Sequence, residues 1–186
     1  MHLGKRQVLC VDDHKDTCQL LQVCFSEWDV RIAFSGTQAL LIARKEIFDL
    51  YILDTWLPEV DGVELCSKIR RFDPNTPILF LSADAYPGTK DEAIGAGAND
   101  YVLKPADPQL LKERAQSLMW KADLRDLEAR SLELAALSEN LRHRSGELFA
   151  RSSKHTARVR AYQQFTRAGG TRANFARFWA DFQASH

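Results

Sequence analysis

Five short apolar runs, four of them ending on a residue able to do chemistry, constrain this chain more than any other feature. Val8-Leu9-Cys10-Val11 ends on Asp12-Asp13, and Leu50-Tyr51-Ile52-Leu53 ends on Asp54. Ile78-Leu79-Phe80-Leu81 ends on Ser82, Tyr101-Val102-Leu103 ends on Lys104-Pro105, and the alternating run Val30–Phe34 is broken by Ser35-Gly36. Four apolar residues in succession read as a strand buried on both faces. Between the runs, apolar residues recur at helical spacing: Leu20, Leu21 and Cys24, then Ala39, Leu40 and Ala43, then Val63, Cys66 and Ile69. A short helix is expected around Thr89–Ala96, with an irregular start at Tyr86-Pro87-Gly88. Strand and helix alternating five times specify an α/β fold with a five-stranded parallel sheet and right-handed crossovers. In such sheets functional groups collect beyond the carboxyl ends of the strands.

Taken singly, those terminal residues are ordinary. An aspartate often forms the turn after a strand, Ser82 would cap a helix, Lys104 would be a solvated charge and Tyr101 a half-buried strand aromatic. As a set they are not. Three carboxylates held together repel one another unless a cation sits among them, and a hard divalent ion such as Mg²⁺ takes oxygen ligands of this kind. Lys104 and a hydroxyl add donors for phosphoryl oxygens, so the set suits phosphoryl transfer onto a carboxylate. The sequence has no glycine-rich phosphate loop and no nucleotide fingerprint, which points to a phosphoryl group delivered by another protein or a small donor.

Residues 6 to about 120 resemble the receiver domain of bacterial two-component response regulators. The resemblance rests on Val11-Asp12-Asp13, the run from Asp54 through Trp56, Pro58 and Asp61 to Gly62, Leu81-Ser82-Ala83, and the run from Gly97 to Pro105. It implies a flavodoxin-like (βα)5 fold with strand order 2-1-3-4-5. It also implies that Asp54 is the phosphoacceptor, that Asp13 and Asp54 ligate Mg²⁺ directly and Asp12 through water, and that the main-chain carbonyl of Trp56 completes the protein ligands. Lys104 would pair with the phosphoryl group. Ser82 would move towards it and Tyr101 would turn inward as the switch pair. Trp56 and Asp84, two residues after Asp54 and Ser82, occupy family positions that tune dephosphorylation, and their bulk and charge suggest restricted access for water.

Beyond Pro108 the chain has no proline. Leu127, Leu134, Leu141 and Leu148 recur every seven residues, with Ser131, Ser138, Ser145 and Ser152 four residues after each. Placing Leu at d puts Ser at a. A helix running from Asp107 to Ala168 would be about 90 Å long. Its stripe is expected to pair with a second chain, making a homodimer through residues 107–168; the other outcome is a break near Gly146 and a hairpin within one chain. Serine at a packs poorly, so the seam would be weak enough for the receiver to shift. Gly169-Gly170 then stops the helix, and Phe175, Phe178, Trp179 and Phe182 form one aromatic face on a last helix. The division expected is a receiver at 1–122, a coiled-coil-like extension at 123–168 and an aromatic helix at 169–186.

Charge divides the chain the same way. Residues 1–120 hold 13 Lys/Arg and 18 Asp/Glu, a net −5, while 121–186 hold 12 and 7, a net +5. The leading expectation for output is protein–protein signalling or phosphorelay through a sensor histidine kinase or histidine phosphotransfer protein; the alternative is DNA binding by the basic C-terminal helices. The tail is short for a full winged helix or helix-turn-helix. No enzyme activity is expected beyond the protein's own phosphorylation and dephosphorylation. Four cysteines without ligand spacing read as buried thiols of a reducing compartment. Met1–Arg6 does not lead into a signal-peptide core, and no apolar run spans a bilayer, so the expected location is cytoplasmic.

Overall fold

The computed structural model describes residues 4–184; Met1–Leu3, where the signal-peptide reading begins, and Ser185–His186 lie outside the described residues. Five strands alternate with five helices: β1 Gln7–Val11, α1 Lys15–Cys24, β2 Asp29–Ala33, α2 Gly36–Ala43, β3 Leu50–Leu53, α3 Gly62–Arg70, β4 Ile78–Ser82, α4 Pro87–Gly95, β5 Asp100–Leu103 and α5 Pro108–Arg167. A last helix, α6, covers Arg172–Ala184. The strands form one parallel sheet in the order β2-β1-β3-β4-β5, as the resemblance implied. The chain divides into two compact units, the division falling between Leu127 and Glu128 within α5.

The first unit is a sheet sandwiched between helices because its strands are apolar on both faces. Leu9, Val11, Tyr51, Leu53, Ile78 and Phe80 pack with residues of α2, α3 and α4. Their alternates Val8, Cys10, Leu50, Ile52, Leu79 and Leu81 pack against Leu21 and Phe25 and, from α5, Leu111, Ala115, Leu118 and Met119. All four residues of β3 and all five of β4 are buried. The residue after a strand so enclosed leaves the core at a fixed height, and that rule sets the position of every group in the site.

The start of α4 differs from expectation. Pro87 and Gly88 belong to the helix, which opens on Pro87 directly after Tyr86. Proline suits the first helical position because its missing N–H would be unpaired there in any case. In the second unit, α5 continues through Gly146 without a break, so the hairpin does not form. The helix stops where the glycine pair stands. Gly169 takes φ +88°, and Gly169 and Gly170 N–H donate to the carbonyls of Thr166 and Phe165 at 3.1 and 3.0 Å, a Schellman stop. The α6 aromatics then pack on the end of α5: Phe175 meets Tyr162 edge-on at 4.8 Å, and Phe178 stacks on Phe165 at 4.6 Å. The last helix thus packs within its own chain.

Candidate functional site

Asp12, Asp54 and Lys104 leave the ends of β1, β3 and β5 and converge. Asp54 N–H donates to the Val11 carbonyl at 2.9 Å, and Lys104 N–H to the Ser82 carbonyl at 2.8 Å, so backbone pairing holds each group beyond its strand. Lys104 Nζ donates to Asp12 Oδ2 at 2.6 Å and to Asp54 Oδ2 at 2.8 Å. Both carboxylates are buried. Burial disfavours the Lys104 ammonium, but its hydrogen bonds to Asp12 and Asp54 and their charges outweigh that cost and raise its pKa. The other oxygen of Asp54 accepts the Thr55 N–H at 2.7 Å.

Asp13 stands further out in solvent, and His14 stands with it. The His14 Nδ1 lies 2.8 Å from Asp13 Oδ1 and 3.7 Å from Asp12 Oδ1, while its backbone N–H donates to Asp12 Oδ1 at 2.9 Å. One ligand atom from each of Asp12, Asp13, His14 and Asp54 falls within 4.8 Å of the others. Three carboxylates and one lysine leave a formal excess of two negative charges, and oxygen donors predominate. That donor set fits a hard divalent cation.

The turn after Asp54 depends on a glycine. A Cβ on Gly62 would stand 2.0 Å from the Asp54 carbonyl oxygen and 2.9 Å from Thr55 Cα, and Gly62 N–H donates to the Thr55 carbonyl at 2.8 Å. The first turn of α3 therefore rests directly on the Asp54 and Thr55 backbone, and Asp61 caps it through the Glu64 N–H at 2.7 Å. Glu59, between them, takes φ +69°. The Thr55 hydroxyl is buried with no hydrogen-bond partner.

Ser82 is fully buried, and its hydroxyl accepts the Asp84 N–H at 3.0 Å. Tyr101 is half-buried, stacks on Phe80 at 6.0 Å and donates its hydroxyl to the Asp84 carbonyl at 2.8 Å. The Asp84 side chain accepts from the Tyr86 N–H at 2.8 Å and the Thr89 hydroxyl at 2.9 Å. The Asp84 carboxylate is thus committed to the start of α4. Trp56 is 67 % exposed, so most of its ring faces solvent.

The cysteines are free thiols, three buried and Cys24 half-buried. Burial, with the nearby Asp12 charge second, pushes Cys18 up to about 11, and burial alone does the same to Cys66. Neither is a thiolate near neutral pH.

Two members of this neighbourhood escape a reading by residue type. His14 follows the acid pair directly, which was the available signal, whereas nothing in the sequence distinguishes the Thr55 hydroxyl from any other.

Comparison with known proteins agrees with this geometry. Residues 8–116 match the family described as the response regulator receiver domain. The transcriptional regulatory protein ZraR of Salmonella typhimurium is 36 % identical over 118 residues, covering 62 % of this chain and 27 % of that protein. The alkaline phosphatase synthesis transcriptional regulatory protein PhoP of Bacillus subtilis is 34 % identical over 121 residues, covering 64 % and 50 %. This chain thus spans a quarter to a half of the length of these relatives. A receiver domain protein from Methanospirillum hungatei superposes with a TM-score of 0.63 at 25 % identity, covering 66 % of this chain and 99 % of that one.

Proposed function

The chain belongs to the response regulator receiver domain family, and from that premise we propose that it is a phosphorelay response regulator whose phosphoacceptor is Asp54. The observation that carries the reading is the Lys104 ammonium held between Asp12 and Asp54 at the strand ends. An oxygen of Asp54 attacks phosphorus, the O–P bond forms as the bond from phosphorus to the donor's nitrogen or oxygen breaks, and the leaving group takes up a proton. Lys104 moves its hydrogen bond from Asp54 to a phosphoryl oxygen, and Ser82 offers its hydroxyl to another. Asp13, Asp54 and the main-chain carbonyl of Trp56 would hold Mg²⁺, with Asp12 acting through water. When bound, that ion neutralises charge on the phosphoryl oxygens.

Transmission runs through Asp84. Its N–H is held by Ser82 and its carbonyl by Tyr101, so a shift of Ser82 towards the phosphoryl group frees the segment that Tyr101 follows inward. The donor is a sensor histidine kinase or histidine phosphotransfer protein, and the setting is the cytoplasm; among the described residues no helix is long and apolar enough to cross a membrane. Beyond its own phosphorylation and dephosphorylation the protein catalyses nothing. The receiver, residues 1–122, acts on the extension at 123–168 and the helix at 169–186, which form a homodimer and a protein-interaction module. A second reading, DNA binding by the basic C-terminal helices, draws support from relatives named as transcriptional regulators, although the similarity covers 27 % and 50 % of their lengths.

With Mg²⁺ and an acyl phosphate, wild type should incorporate phosphate at least about 100-fold faster than Asp54→Asn. Equal incorporation would remove the assignment.

A further inference from the structure

We propose that α5 pairs with α5 of a second copy of this chain in antiparallel orientation; the proposal rests on the homodimer reading and adds its geometry. Leu127, Leu134, Leu141 and Leu148 are 56 %, 67 %, 57 % and 64 % exposed, one every second turn along one face of a helix that runs unbroken past them. Such a stripe needs a partner.

Layer volumes choose the orientation. In a parallel, in-register pair each residue faces its own copy, so Leu layers alternate with Ser layers in which two short side chains leave a gap. Reversing one helix brings every serine opposite a leucine. Ser131 meets the partner's Leu148, Ser138 the partner's Leu141, Ser145 the partner's Leu134 and Ser152 the partner's Leu127. Large now packs on small in every layer. The same register sets Leu124 against the partner's His155 and Val159 against the partner's Trp120, both Leu124 and Trp120 being exposed. Each buried serine hydroxyl can bond to its own helix one turn back.

Charge chooses the same way. Residues 121–139 hold three Lys/Arg and five Asp/Glu, while 140–158, which they face when one helix is reversed, hold five and one. A parallel pair would lay −2 beside −2 and +4 beside +4; the antiparallel pair lays −2 beside +4 at each end. From Trp120 to Val159 the helix is about 60 Å long, and a strip about 10 Å wide on each chain buries about 1,200 Å² in all. That exceeds the roughly 1,000 Å² a specific interface needs.

The test uses full-length protein with Cys24→Ser, the remaining cysteines being buried. Ser152→Cys and Leu127→Cys chains are oxidised separately and after mixing. Antiparallel pairing yields at least ten-fold more covalent dimer in the mixture than in either alone, because residue 152 stands about 38 Å along the axis from its own copy. Homodisulfides of Ser152→Cys alone would indicate a parallel pair and overturn the orientation while leaving the homodimer. A monomer by sedimentation would remove both. A spin label at Ala150, off the seam, checks the result without touching a packing residue. Label separations near 30 Å support the proposal, and separations under about 20 Å overturn it.

Discussion

The sheet unit and the long helix use apolar residues in opposite ways. Leu9, Leu50, Ile52, Leu53 and Leu79 have no more than 1 % of their surface exposed, whereas Leu127, Leu132, Leu134 and Leu148 keep more than half of theirs. The first unit satisfies its own hydrophobic demand and spends its irregularities on a site. Among the described residues of the second, the α5–α6 aromatic cluster is closed within the chain, while the leucine stripe is left to be covered by something else. One region is organised around a cluster of charges, the other around a missing neighbour.

Three measurements sharpen or break that contrast, beyond the phosphorylation and cross-linking tests. Lys104→Met should destabilise the sheet unit most, by about 3–5 kcal/mol, because it leaves Asp12 and Asp54 buried together without their cation. Adding Asp12→Asn should recover part of the loss. Urea unfolding of the single and double variants reads both, and an unchanged midpoint in the single would mean that the lysine is not holding the acids.

Two glycines should respond with opposite signs. Gly62→Ala places a methyl against the Asp54 carbonyl and should cost about 1–3 kcal/mol. At Gly146 a Cβ meets nothing within 4 Å, so Gly146→Ala should stabilise the helix by about 0.5–1 kcal/mol. Thermal melts of the two variants moving in the same direction would contradict the difference between packed and open backbone.

Alkaline pH should separate the units more gently. Cys18 and Cys66 have folded pKa values raised to about 11, so from about pH 9 the unfolded chain loses thiol protons that the folded chain retains. Stability therefore falls as pH rises, by about 1 kcal/mol per thiol at about pH 10, and Cys→Ala at both positions should flatten the slope. The helical unit has no cysteine. Its helix signal should show no such dependence.

What could be read in advance followed from burial. Runs buried on both faces, such as Leu50–Leu53 and Ile78–Leu81, declare themselves as strands, and the residues after them had to emerge at one edge of the sheet. That reached Asp12, Asp54, Ser82 and Lys104. The turn at Asp54 shows in the sequence as a motif, but the reason for Gly62 is that a Cβ there would stand 2.0 Å from the Asp54 carbonyl oxygen, which no local pattern reveals. Position after Ser82 sets Asp84 beside the site, but the bonds of its carboxylate to the Tyr86 N–H and the Thr89 hydroxyl come from the entry into α4, which the pattern does not show. Proline and glycine at 87–88 resembled an interruption because proline breaks a helix everywhere except in its first turn.

Asp84 has a consequence for how substitutions combine. Its amide, carbonyl and carboxylate are each tied to a different element, through Ser82, Tyr101 and the first turn of α4. Losses at 82, 84, 89 and 101 should therefore mask one another instead of adding, since cutting one tie already releases what the others restrain. In genetic terms these four positions form a single epistatic unit, in which a sequence can drift only by changing several members together.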